Sequence, residues 1–151
     1  MTYNEILPLA DVKTHLKLDD DFTEMDTAIE RMVRSVLQLT EQRTNHIFQA
    51  KTNVEYFRNN RQYLDIYDFP LTYTGDLTKL TYSNKIRFDA DTVKIDSVGY
   101  ATKEDVPSAF IDAALMVIET WYYKAESRMD ISLIPDAVNQ IWASYRRFTI
   151  G

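Results

Sequence analysis

The alternation of apolar and polar positions divides the chain into three stretches. Over residues 22–47, Met25, Ala28, Ile29, Met32, Val33, Val36, Leu37 and Thr40 recur at alternating three- and four-residue spacing, one continuous stripe on a long helix. Run to Asn45, it makes about seven turns. Asp21 followed three residues later by Glu24 has the form of a capping box ahead of it, and Glu30 with Arg34 forms a favourable i,i+4 pair. Before it, Leu9, Val12 and Leu16 predict a short helix over 8–17, with Pro8 tolerated at its first turn.

Residues 48–106 lose the helical period. Short β-branched and aromatic runs, split by turn formers, predict strands near 52–58, 63–69, 77–82, 85–89 and 92–100. Ser83-Asn84 and Ala90-Asp91 suit tight hairpin turns, and Pro70 and Gly75 bracket a loop containing Tyr73. Helical spacing returns over 108–127, where Phe110, Ala113, Ala114, Val117, Ile118 and Trp121 share a face; Pro135 then opens a last helix carrying Val138, Ile141, Trp142 and Tyr145. The expected fold is α+β: a bundle of about four helices, with a small antiparallel β insert between the long N-terminal helix and the C-terminal helices.

Length and charge favour one domain over 1–151, divided as N-terminal helices 1–47, β insert 48–106, and C-terminal helices with a tail 107–151. The acidic excess, 23 Asp and Glu against 17 Lys and Arg, is spread over all three parts, and no part is a charged tail. A protein gripping DNA phosphates is usually basic or carries a basic stripe, and none is evident. With no cysteine there is no disulfide framework, thiolate metal site or cysteine nucleophile, which suits folding in a reducing cytoplasm. No apolar run approaches the ~20 residues of a membrane span, and the N-terminus lacks the layout of a signal peptide. Three glycines, Gly75, Gly99 and Gly151, are too few and too scattered for a dinucleotide fingerprint or a P-loop.

The candidate chemistry is thin. Asp19, Asp21, Thr23 and Glu30 fall at positions of a calcium loop, but Glu24 stands where that loop needs glycine, and the helical stripe begins inside it. An acidic helix N-terminus is the simpler reading. His15 and His46 are too far apart in sequence for a zinc motif, and no serine lies in a nucleophile elbow. His46 is expected to meet the last carbonyls of the long helix. Asp89 and Asp91 would share a face of a strand, but a solvated hairpin end explains them as well. The insert carries six tyrosines: Tyr56, Tyr63, Tyr67, Tyr73, Tyr82 and Tyr100. Tyrosine fits a half-buried strand, and it also suits a protein-docking surface.

The two ends carry a pattern. Leu9-Ala10-Asp11-Val12-Lys13-Thr14-His15-Leu16-Lys17-Leu18, the acidic Asp19-Asp20-Asp21, and a long helix closing at Thr44-Asn45-His46 resemble the start of the tailed-phage head–tail connector (adaptor) proteins, often described as DNA-packaging or head-completion proteins. Pro107, Ala113-Ala114, Trp121-Tyr122, Ile134-Pro135-Asp136-Ala137-Val138, Ile141 and Tyr145-Arg146 match the family's C-terminal half. The insert 48–106 and the missing glycine after Thr44 depart from it.

The resemblance implies a non-enzymatic virion protein of the neck, made in the host cytoplasm. It would form a ring, often a dodecamer, below the portal, extend the DNA channel without reading sequence, and give the tail or a stopper protein a platform. It implies no cofactor, no metal and no membrane. Tyr145, Arg146, Arg147, Phe148 and Ile150 are the positions it points toward the portal, and Tyr63, Tyr67, Tyr73 and Tyr82 would face neighbouring subunits or the tail. Deleting 146–151 would then spare the fold and abolish portal attachment. Two other classes remain open from the sequence: an acidic DNA-mimic regulator, and a small metal-dependent hydrolase using Asp89 and Asp91 or the Asp19–Asp21 run.

Overall fold

The computed structural model describes residues 1–75, 79–81, 85–124 and 131–147. A short α1 (Tyr3–Ile6) leads into α2 (Leu9–Leu16) and the long α3 (Asp26–Thr44). A β region follows, with β1 (Lys51–Phe57), β2 (Leu64–Ile66), β3 (Leu71–Thr72), β4 (Lys79–Thr81), β5 (Ile86–Phe88) and β6 (Thr92–Val98). The chain then returns to helix in α4 (Ser108–Lys124) and α5 (Asp136–Tyr145). This is the expected α+β arrangement of helices around an inserted β region, with α1 additional.

The helices form where the stripes lie. On α3, Ile29, Met32, Val33, Val36 and Leu37 are buried, and the stripe continues through Thr40 and Thr44. Those two threonines enter the core because their hydroxyls donate to carbonyls one turn back, Thr40 to Val36 at 2.8 Å and Thr44 to Thr40 at 2.7 Å. The six apolar residues predicted to face inward from α4 are its six buried residues. Helix α3 packs against α1, α2, α4 and α5, so it is the axis of the bundle. Among the described residues no helix is long and apolar enough to cross a membrane.

One expectation at a helix end changes. Helix α3 starts at Asp26 after Met25, which supplies no side-chain cap, so Asp21 and Glu24 do not form the capping box. Lys13, almost wholly buried, instead reaches from α2 to the Asp26 carboxylate at 2.8 Å and to the Asp20 carbonyl at 3.1 Å. That long-range ion pair sets the first turn of α3, at the helix end where a carboxylate is favoured. A true capping box sits at Thr2 and Glu5, in front of α1.

The β region is two three-stranded antiparallel sheets, ordered β1-β6-β3 and β2-β5-β4. In the first, β1 and β6 pair along their length, from Lys51 opposite Val98 to Phe57 opposite Thr92, and β3 adds Leu71 opposite Val98. In the second, Leu64 faces Phe88 and Ile66 faces Ile86 across the ladder. Ala90-Asp91 is therefore no hairpin turn: β5 and β6 on either side of it belong to different sheets. Ser83-Asn84 lies outside the described residues. The sheets share a core of Leu64, Ile66, Ile86, Phe88, Val93, Ile95 and Val98, separate from the larger core of the helices.

Candidate functional site at the root of the C-terminal segment

The two cores meet where α3 ends, and the C-terminal segment is rooted at that seam. Asn45 closes α3 in the left-handed region at φ +59°, a conformation asparagine tolerates better than most residues, and turns the chain toward the sheets. The end of a helix leaves carbonyls without partners. Here the Thr44 carbonyl accepts the Arg147 N–H at 3.0 Å, and the Asn45 side-chain amide donates to the Arg147 carbonyl. The Arg147 guanidinium is buried with its Cζ 4.6 Å from the centroid of the Phe69 ring, and its Nε donates to the Tyr67 carbonyl at 3.1 Å. Burial lowers its pKa, with nearby Tyr100 opposing.

His46 sits beside this clamp, also buried, and pairs with Phe69 through a single parallel bridge. Its Nε2 lies 3.1 Å from the Tyr145 carbonyl, which can only accept, so Nε2 carries the proton. Nδ1 then accepts from the Tyr100 hydroxyl at 2.7 Å. The ring is neutral: burial pushes its pKa down to about 4, the Tyr145 hydrogen bond opposes that shift, and the Arg147 charge adds to it. The expectation that His46 meets a helix-terminal carbonyl holds in kind but not in place, since the carbonyl belongs to α5. Phe69, Tyr100, Phe110 and Tyr145 pack around the imidazole with centroids 5.0 to 6.0 Å away.

Two further ties hold the seam. Glu41 accepts the Tyr3 hydroxyl at 2.6 Å and the Phe48 N–H at 2.6 Å, joining α1 to the chain that leaves α3. Gly99 stands at φ +111°, where a Cβ would come within 2.8 Å of the Ala50 Cα. The Gly99 N–H donates to the Pro70 carbonyl at 2.7 Å and the Tyr100 N–H to the Ile47 carbonyl at 3.0 Å.

The tyrosines of the insert turn mostly inward. Tyr56 donates to Asp68 at 2.7 Å, and Tyr100 is buried against His46. Tyr63 is half-buried beneath the Arg87 guanidinium, which is 4.6 Å from its ring centroid. Arg87 and Lys85 in turn grip Asp65, and hydrogen bonding from Arg87 holds that carboxyl below its ordinary pKa. Tyr73 meets Phe88 edge-on at 5.3 Å. Tyr67 is half-buried, and its hydroxyl finds no partner among the described residues. It lines a polar cleft of about 350 Å³ with Gln42, Asn45, Asp65, Asp68 and Arg146. Tyr82, Phe148 and Ile150 lie outside the described residues. Among the described residues, the large apolar side chains that face solvent are Phe57, Leu80 and Tyr123.

The profile of the phage gp6-like head-tail connector proteins matches residues 7–147, nearly the whole chain. The chain belongs to that family. Two solved structures share the fold of this connector at low sequence identity. A chain in the virion of a native gene transfer agent particle aligns with a TM-score of 0.67 and 15% identity, over 97% of this chain and 92% of that one. A chain in the neck of an empty gene transfer agent particle, computed with C6 symmetry, aligns at 0.66 and 16% identity over the same shares. No curated protein matches the connector in sequence.

The connector is a structural, non-enzymatic protein, and two of the residues weighed for chemistry, His15 and Asp91, sit in ion-pair contacts. His15 contacts Glu119 at 3.1 Å on the surface. Asp91 pairs with Arg58, and Asp19–Asp21 form the turn between α2 and α3. Among the described residues no group of three or more His, Asp or Glu side chains converges to hold a metal ion. Sequence reasoning missed the Arg147 clamp. Its one legible signal was the Thr44-Asn45-His46 end of the long helix, where asparagine marks a left-handed cap.

Proposed function

We propose that the connector is a subunit of a ring in the neck of a phage-like particle, seated below the portal. The ring, on the order of twelve copies, extends the DNA channel and offers its far side to the tail or a stopper protein. The family match over 7–147 carries this reading. A similar fold in a neck computed with sixfold symmetry supports it, because a dodecamer is compatible with that symmetry. The net charge of −6 supports a conduit past which DNA slides without sequence-specific binding.

The portal-facing element in this proposal is the C-terminal segment. Arg146 is exposed at its start, and Phe148 and Ile150 follow. Tyr145 and Arg147 act as its root: Tyr145 packs on His46 and Phe110, and Arg147 is clamped to α3. A deletion from 146 onward would therefore remove part of the seam, and the cut that spares the fold moves to 148. Tyr63, Tyr67 and Tyr73 shape the surface of the insert that meets neighbours or the tail.

The test is electron microscopy of negatively stained portal vertices incubated with the full chain, with a chain lacking 148–151, and with the double variant Phe148→Ala, Ile150→Ala. The full chain is expected to add a ring to the portal. Both variants should melt as the full chain does and leave portals bare. Absence of rings with the full chain would overturn the neck assignment, and decoration by the truncated chain would overturn the role of the segment.

A further inference from the structure

The first sheet carries a knob at one end and a hole at the other. The knob is Phe57, the last residue of β1, which is 65% exposed. The hole is an apolar groove of about 450 Å³, lined mainly by Phe69, Pro70, Leu71, Tyr100, Ala101 and Pro107. Lys51 and Leu71 both stand opposite Val98, at the groove end of the sheet, while Phe57 stands opposite Thr92, six residues further along β1. Six extended residues span about 20 Å, so Phe57 cannot enter the groove of its own copy. The charges around the two features are opposite. Asp105 lines the groove and Glu104 precedes it, and among the described residues neither forms an ion pair. Phe57 is followed by Arg58, which pairs with Asp91, and by the exposed Arg61, which forms no ion pair among the described residues.

We propose that the groove receives Phe57 of a second copy of this chain, with Arg61 beside the Glu104 and Asp105 carboxylates of the copy that owns the groove. A knob and a hole on different parts of one surface make a heterologous contact: each copy gives its knob to one neighbour and takes the knob of the other. Repeated around an axis, such a contact closes into a ring. The inference rests on the ring reading and assigns the two faces through which neighbours meet. It accounts for an aromatic ring left in water at a strand end, because assembly desolvates it in an apolar site. The flanking charges orient the approach, since the reverse docking would bring like charges together.

The absence of native cysteine makes disulfide trapping clean. The double variant Asn59→Cys, Thr72→Cys keeps Phe57 and places one exposed thiol beside the knob and one at the groove. Thr72 stands level with Thr52, opposite Ser97, so its own Asn59 lies beyond the roughly 7 Å that a disulfide spans. Oxidised as rings on portal vertices, this variant is expected to give a ladder of covalently linked copies. The control Leu80→Cys, Thr72→Cys, which uses the other large exposed apolar position of the insert, should give about ten-fold less linked product. Ala101→Trp, which fills the groove and leaves Phe57 in place, should melt as the unmodified chain does and reduce ring formation about ten-fold. Rings that yield no ladder, a control ladder of equal strength, or undiminished rings with Ala101→Trp would each overturn the contact and leave the neck assignment standing. Absence of rings with the unmodified chain would overturn the neck assignment and this contact with it.

Discussion

The helical body and the β insert solve the same problem with unequal means. Among the described residues the helical core holds 21 buried apolar side chains and the sheet core seven. A sheet core that small is marginal by itself, since short strands bury little surface per residue. The insert also does not own its roots. Phe48 and Tyr100, where the chain leaves and rejoins the helices, belong to the helical core. The lesson is that the insert is held by its seam: His46, Tyr100, Arg147 and Gly99 fix its base, and its own core shapes what lies beyond. One substitution in each core tests this. Phe110→Ala and Phe88→Ala each empty a fully buried aromatic site, and each should cost about 3–5 kcal/mol. If the seam couples the two regions, both variants lower one shared transition, followed by helical circular dichroism and by tyrosine fluorescence. A helical melt that ignores Phe88→Ala would instead make the insert a separate unit.

The seam can be struck directly at Gly99. An added Cβ would be strained by φ +111° and would press on the Ala50 backbone, which cannot swing aside as a side chain can. Gly99→Ala should cost about 2–4 kcal/mol, from backbone strain together with overpacking. The comparison sharpens if urea unfolding of this variant reports the tyrosine change before the helical one, because the damage then loosens the insert ahead of the body.

The difference between the regions also explains what the sequence disclosed. The bundle was legible because a helix writes its buried face locally: the inward residues of α4 were read off without error, and the stripe of α3 was right through Thr40. The start of α3 was not, because Lys13 settles it from another helix. In the insert, neighbours in sequence are not neighbours in the sheet. Strands β1 and β6 pair across the whole intervening segment, so hairpin reasoning at Ala90-Asp91 failed. Period-two alternation shows that a strand has two faces but not which is covered, and so it could not tell that Tyr56 and Tyr100 point inward. The candidate site was least legible of all. Its parts, Asn45, His46, Phe69, Tyr100 and Arg147, are scattered along the chain and carry no motif except at the end of α3.

His46 gives the seam a pH dependence that the two cores lack. The Tyr100 and Tyr145 phenols and the Arg147 guanidinium face its ring, and none offers it a negative charge near neutrality. Its pKa of about 4 in the fold lies below the ordinary 6.5, so the unfolded chain takes up the proton first. The stability from keeping it neutral is complete above about pH 6.5 and is lost as pH falls toward 4, on the order of 2 kcal/mol after allowance for solvent screening. Denaturant titrations across that window should show the decline, and His46→Gln should flatten this part of the curve. An unchanged slope in the variant would assign the acid sensitivity to the carboxylates.

The smallest expected effect on stability is at Phe57, and it bears on what the insert presents. Phe57 ends β1 with its ring about two-thirds in water, while the insert's described tyrosines are buried or half-buried. A ring so exposed contributes little to the fold, so Phe57→Ser should change the melting transition by under about 0.5 kcal/mol. An exposed aromatic at the end of a strand nevertheless suits a contact with another subunit, where it would be desolvated. If the insert meets its neighbours through this end, Phe57→Ser leaves the monomer intact and reduces ring formation on portal, scored by electron microscopy. Undiminished rings would move the contact elsewhere on the insert, to the face carrying Leu80. Among the described residues the helical body supplies no comparable test, because Tyr123, the exposed aromatic there, already spends its hydroxyl on the Leu16 carbonyl at 2.8 Å.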